Sequence, residues 1–201
     1  MLLPAKAQEA ADSVADEYID RNQAVIDSIL SLITPSTPDS IKAKYYNKIA
    51  HTTDNNDTII KYAKMSINFC KETDYNLLGD NNTFLYGVYR MKGDYKAALQ
   101  SVQSSIKYFN KSGNLKDLAG AYNSASIVHA ELNNFDSIGF YMNKALKIGN
   151  QLGDTTFIAH CYQILGLAYS YCGFYNEAKN NYKKAIFLDS SHLLEFLSFL
   201  S

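Results

Sequence analysis

Tryptophan is absent from the 201 residues, and proline and cysteine occur three times each. With so few prolines and only ten glycines, the chain has few points at which it must turn. Long helices are therefore easy, and a many-stranded sandwich with frequent tight turns is disfavoured. The cysteines, Cys70, Cys161 and Cys172, are odd in number and widely spaced, which is neither a disulfide framework nor a zinc pattern. They read as free buried thiols, suited to a reducing compartment without excluding export. No sign of charge dominates: 19 basic residues stand against 20 acidic ones, and no basic block exists to neutralise a phosphate backbone. Nucleic-acid binding is disfavoured on that ground. No stretch approaches the roughly 20 apolar residues of a membrane span.

The first nine residues have small residues at Ala5 and Ala7, the pattern that precedes a signal-peptidase cut. They lack the basic start and the apolar region of about 7–15 residues that such a signal requires. They read either as a frayed terminus or as the remnant of a longer leader, so the compartment is periplasmic or exported in one case and cytoplasmic in the other. Catalytic signatures are also missing. There is no glycine-rich phosphate loop, no Gly-x-Ser-x-Gly elbow and no His-Glu-x-x-His pair. His160 and Cys161 are neighbours on a helical stretch, so they point about 100° apart and do not form a base and nucleophile. The expectation is a protein that is not an enzyme and has no cofactor and no metal site.

What the chain does have is apolar periodicity, at 47% hydrophobic residues, and 16 tyrosines at regular intervals. Val14, Tyr18, Val25, Ile26, Ile29, Leu30 and Ile33 recur mostly three or four apart and predict a helix over 10–34. Pro35 and Pro38 end it. A hairpin over 39–73 follows, with Tyr45, Tyr46, Ile49 and Ala50 inward on its first helix. Ile59, Ile60, Ala63, Ile67 and Cys70 are the inward set expected on its second. From Leu77 the register is regular, and starts at Gly79, Ala119 and Ala159 give three copies, over 77–111, 117–150 and 157–188. Position seven holds Leu85, Ala125 and Leu165, position eight Tyr86, Ser126 and Gly166, and position eleven Tyr89, His129 and Tyr169. Position fifteen holds Gly93, Asn133 and Gly173, at the point where the chain enters the left-handed region most tolerantly occupied by glycine and asparagine. Small residues at positions eight, twenty and twenty-seven let antiparallel helices approach. One such hairpin cannot bury its own apolar face, so stacking stabilises it.

This spacing resembles the tetratricopeptide repeat, with Tyr162, Leu165, Gly166, Tyr169, Ala178 and Ala185 matching most closely. Tyr86 departs from the small residue expected at position eight, and helix approach there should be looser or Tyr86 should point elsewhere. The period of 40 exceeds the family's usual period of about 34. The extra residues are expected as one more turn on each second helix plus a longer inter-repeat loop around 110–114 and 149–154. The resemblance implies an all-α right-handed superhelix of helical hairpins, a single domain over 10–201 closed by a capping helix over 190–201. It also implies that the first helix of each repeat lines a concave face. The residues projecting there include Asp80, Thr83, Arg90 and Met91, then Asn123, Ile127, Ala130 and Glu131, then His160, Gln163, Leu167, Ser170 and Tyr171. The paired lysines and arginine that clamp a peptide carboxylate in chaperone-binding members are missing. The implied function is therefore non-catalytic recognition of a protein or peptide, with the site at Thr83, Arg90, Asn123, Ile127, Glu131, His160, Gln163, Leu167 and Tyr171.

The Tyr45–Ala50 segment is similar to one found in tetratricopeptide sensor regions of bacterial kinases and transcription regulators, which makes a sensory region without its output domain the alternative. The apolar residues after Ser190, among them Leu193, Leu194, Phe196 and Phe199, read as a cap or as a homodimer surface. Asp-Ser/Thr pairs at Asp12, Asp27, Asp39, Asp57, Asp136 and Asp154 resemble O-glycan acceptors of exported bacterial proteins. Helix entry, where Asp and Ser/Thr serve as caps, accounts for the last four.

Overall fold

The computed structural model describes the backbone over 22–199 and side chains over 22–189. The described residues are helical almost throughout and contain no strand. They fall into two compact units divided between Leu77 and Leu78.

The first unit contains α1 over 22–31, α2 (Asp39–Thr52) and α3 (Asn56–Phe69). Ile26 and Ile29 are buried on α1, while Val25 points outward. Helices α2 and α3 form the expected hairpin. The buried set on α3 differs from the expected one: Tyr62, Ala63 and Ser66 are inward, and Ile59, Ile60, Ile67 and Cys70 are half-buried. Two contacts set that rotation. Tyr62 stacks on Tyr46 at 5.9 Å between ring centroids, and the Ser66 hydroxyl donates to the Ala43 carbonyl at 2.7 Å. A polar residue therefore fills an inward position that apolar periodicity alone assigned to its neighbours.

The second unit is a run of three hairpins. Helix α4 (Tyr75–Met91), which begins just before the division, pairs with α5 (Tyr95–Ser112), α6 (Leu115–Glu131) with α7 (Phe135–Leu152), and α8 (Thr155–Tyr171) with α9 (Tyr175–Phe199). Each helix from α5 onward packs on the next in sequence, which is the stacking of a helical-repeat solenoid. Position fifteen has a positive φ in all three hairpins, 73° at Gly93, 54° at Asn133 and 79° at Gly173. Inter-helix approach at position eight is closest at Gly166, where an added Cβ would lie 2.8 Å from the Tyr182 ring.

Two expectations about length are corrected. The inter-repeat connections are short, Gly113–Asn114 and Gly153–Asp154, so the surplus over the usual period lies within the helices, with 18 residues in each of α5 and α7. Extending a helix continues its buried stripe, whereas a longer loop would order backbone without burying apolar surface. A separate closing helix starting at 190 is also not seen, because α9 runs unbroken from Tyr175 to Phe199. The register explains why: the residues at 113 and 153, where the chain turns back, are glycines in the left-handed region, and the corresponding residue is Leu193. The side chains expected to form a cap or dimer surface after Ser190 lie outside the described residues, as do residues 1–21.

Helix entries are built by asparagine and aspartate. Asn55, Asp94, Asn114, Asn134 and Asp154 each accept a hydrogen bond from the backbone N–H three residues on. Of the Asp-Ser/Thr pairs among the described residues, only Asp154 is such a cap. Asp39, Asp57 and Asp136 sit in the first turn, where their charge faces the helix N-terminus, and Asp27 lies within α1.

Candidate functional site

Helices α4, α6 and α8 present one face of the second unit. On each, the packing positions are buried: Leu85 and Val88, Ala125 and Val128, and Leu165 and Ala168. The residues between them line three recesses.

The first is a cavity of about 460 Å³ at the N-terminal ends of these helices, and Asp80, Thr83 and Asn123 are in its wall. Lys116, Asp117 and Asp154 join them, giving three carboxylates and one ammonium. The Thr83 hydroxyl is 2.8 Å from that of Ser105 and donates to the Gly79 carbonyl at 3.1 Å. Asp117 accepts from the Asn114 amide at 2.6 Å, and Asp154 accepts from the Phe157 backbone N–H at 2.9 Å. Asn123 Oδ1 is shut off from solvent and has no hydrogen-bond partner.

The second recess, about 310 Å³, lies at the opposite ends of α6 and α8 and is bounded by Glu131, Phe135, Ile164, Leu167 and Tyr171. Tyr171 stacks on Phe135 at 5.1 Å and is still 66% exposed. Arg90 approaches Glu131 at 3.6 Å, and the Tyr95 hydroxyl donates to the other Glu131 oxygen at 3.4 Å. Arg90 and Glu131 thus engage each other across α4 and α6, and with both half-exposed this pair contributes little stability.

The third recess, about 560 Å³, is formed by His160, Gln163, Ile164 and Leu167 of α8 with Tyr182 and Ile186 of α9. Ile127 is half-buried on α6 between Asn123 and Glu131, and Ser170 is half-buried on α8. The sequence expectation did not include Lys116, Asp117, Asp154 and Ile164 in this face. The first three lie ahead of the repeat start, Lys116 and Asp117 in the first turn of α6 and Asp154 capping α8, and the cap pattern at Asn114 and Asp154 was the available signal.

Two of the three thiols are held in the protonated form. Burial pushes the Cys161 thiol up to about 12, with the Asp154 charge adding to it, and Cys70 up to about 11, with Asp74 adding. His160 is exposed while Cys161 is buried, as the angle between neighbouring helical residues requires. Cys172 is exposed, which corrects the expectation that all three thiols are buried. His129 is buried in the core and stacks on Tyr141 at 5.3 Å, and its Nδ1 has no hydrogen-bond partner. Burial holds its pKa below the ordinary value. Among the described residues no cluster of His, Cys, Asp and Glu could hold a metal, and no helix is long and apolar enough to cross a membrane.

This architecture is that of a tetratricopeptide-like helical-repeat solenoid. No protein-family model matches the chain, and no curated protein matches it in sequence. Solved structures do match in fold. BtubC (BKLC) from P. vanneervenii is 12% identical with a TM-score of 0.79, over 90% of this chain and 76% of that one. MamA is 18% identical with a TM-score of 0.66, over 96% and 99%. The TPR-like repeats of a putative kinesin light chain from Podosopora anserina are 9% identical with a TM-score of 0.66, over the same shares.

Proposed function

We propose that the chain is a non-catalytic scaffold that binds a protein or peptide on the face formed by α4, α6 and α8. The observation that carries this reading is on α8. Its packing residues are buried, yet Leu167 is 49% and Tyr171 66% exposed between them, each beside a recess. Large apolar side chains held open next to amides such as Gln163 are what an interface uses for anchoring and orientation. The fold likeness to TPR-like repeats is compatible with the same reading.

The test is selection from a displayed library of random short peptides. Recovered peptides are expected to bind the wild type and to lose affinity by about tenfold or more for the triple variant Asn123→Ala, Gln163→Ala, Tyr171→Ala. The helical circular dichroism should be unchanged. Failure to recover any peptide, or equal binding by the triple variant, overturns the assignment.

A further inference from the structure

The two recesses shared by α6 and α8 differ in chemistry, and the difference specifies a ligand. The cavity at the N-terminal ends carries Asp80, Asp117 and Asp154 against Lys116 alone. Asp117 and Asp154 each have one recorded hydrogen bond, and a carboxylate offers about four acceptor sites, so capacity remains. In the same wall Asn123 Oδ1 is an acceptor with neither solvent nor a donor. Such a group is disfavoured unless something supplies a proton donor. Excess negative charge together with an unused acceptor suits an ammonium or guanidinium, and repels a carboxylate.

The recess at the other end is mostly apolar, walled by Ile164, Leu167 and the Phe135–Tyr171 stack, with Glu131, paired to Arg90, at its edge. It suits a large aliphatic or aromatic side chain. On α6 the first recess is lined around Gly120 and Asn123, and the second around Ala130 and Glu131. At about 1.5 Å per helical residue the two are roughly 12–15 Å apart, the span of four or five residues of extended chain at about 3.3 Å each.

Resting on the binding function proposed above, we infer that this face recognises an extended peptide segment carrying a lysine or arginine and, about four residues away, a large apolar residue. The basic side chain enters the cavity beside Asp80, Asp117 and Asn123. The apolar one enters the recess beside Leu167 and Tyr171. The sign of the preference is opposite to that of a clamp for a free carboxylate.

The test uses capped synthetic peptides with a fluorescent label and an otherwise uncharged Ser/Ala/Gly sequence, titrated with the full chain and read by anisotropy. One carries Arg and Leu four residues apart. The others replace Arg by Glu, replace Leu by Ser, or place the two adjacent. The first peptide is expected to bind about tenfold more tightly than each of the others and to weaken with added salt. The preference for Arg over Glu should shrink in the double variant Asp80→Asn, Asp117→Asn. The preference for Leu over Ser should shrink in Leu167→Ala. Circular dichroism reports folding, and Asp80→Asn alone serves if the double variant unfolds. Equal binding of the Arg and Glu peptides, or a preference that survives the aspartate variants, overturns the inference. Library peptides that depend on Tyr171 but lack the basic-to-apolar spacing overturn it while leaving the binding function standing. Absence of peptide binding of any kind overturns both.

Discussion

Positions eight and twenty-four of the repeat trade volume. Tyr86 stands with Val102, Ser126 with Met142, and Gly166 with Tyr182. Tyr86 and Val102 share one buried cluster, Ser126 and Met142 are fully buried, and the Tyr182 ring lies over Gly166. The backbones of α4 and α5 approach less closely than those of α6 and α7 or of α8 and α9, as a bulky residue at position eight requires. Tyr86 fills, from the first helix, space that a tyrosine on the second helix fills in the last repeat. Replacing Gly166 by alanine puts a Cβ 2.8 Å from the Tyr182 ring, so the ring must move. The expected loss is about 1–3 kcal/mol in denaturant unfolding. Installing the middle repeat's pair, Gly166→Ser with Tyr182→Met, should be more stable than the two single changes sum to, by about 1 kcal/mol. Strict additivity would show that the two positions do not share a space.

His129 makes a second prediction at the same scale. It occupies the position where the other repeats carry Tyr89 and Tyr169, and burial lowers its pKa from the ordinary 6.5. A histidine whose folded pKa is depressed binds fewer protons folded than unfolded just below that ordinary value. Stability therefore falls as pH drops through 6.5 and keeps falling until the folded pKa is reached. The ring stacks on Tyr141, and burial alone lowers its pKa. His129→Tyr, which restores the residue type of the other repeats, should flatten the stability profile between neutral and mildly acidic pH. If wild type and variant decline in parallel over that range, His129 is not the titrating group.

At the scale of the element, the helices are long and the connections between repeats are two residues, so capping side chains do the work that longer loops would otherwise do. Asp94 shows the device most simply, accepting from the Ala97 N–H at 3.0 Å in an exposed setting. Asp94→Ala is expected to cost about 1 kcal/mol, seen as a lower midpoint in urea with an unchanged slope. Elements were also where expectation and structure parted most. The cap residue is Asn134 rather than Asp136 and Asn55 rather than Asp57, because a cap is defined by where the backbone leaves the helical region. A side chain's chemistry shows only that it is able to cap. Likewise Ser66 displaces Ile67 from the inward line of α3, since the Ala43 carbonyl offers it a buried acceptor.

At the scale of the whole molecule, a few kinds of residue made the repeat legible. The left-handed positions Gly93, Asn133 and Gly173, the small residues Ala98, Ala145, Ala178 and Ala185, and the apolar spacing between them all recur at one interval. By itself the sequence determined that this chain forms stacked helical hairpins of the tetratricopeptide-like kind. The governing interactions there are local or periodic, and periodicity survives without coordinates. Only the tertiary structure decided what the face of α4, α6 and α8 contains. Asp80, Asp117 and Asp154 belong to three helices and meet in one cavity, Arg90 and Glu131 neutralise each other across two helices, and Tyr171 is held upright by Phe135. Nothing in the repeat pattern constrains those positions, because their energies depend on neighbours forty residues away rather than on the turn of helix they occupy.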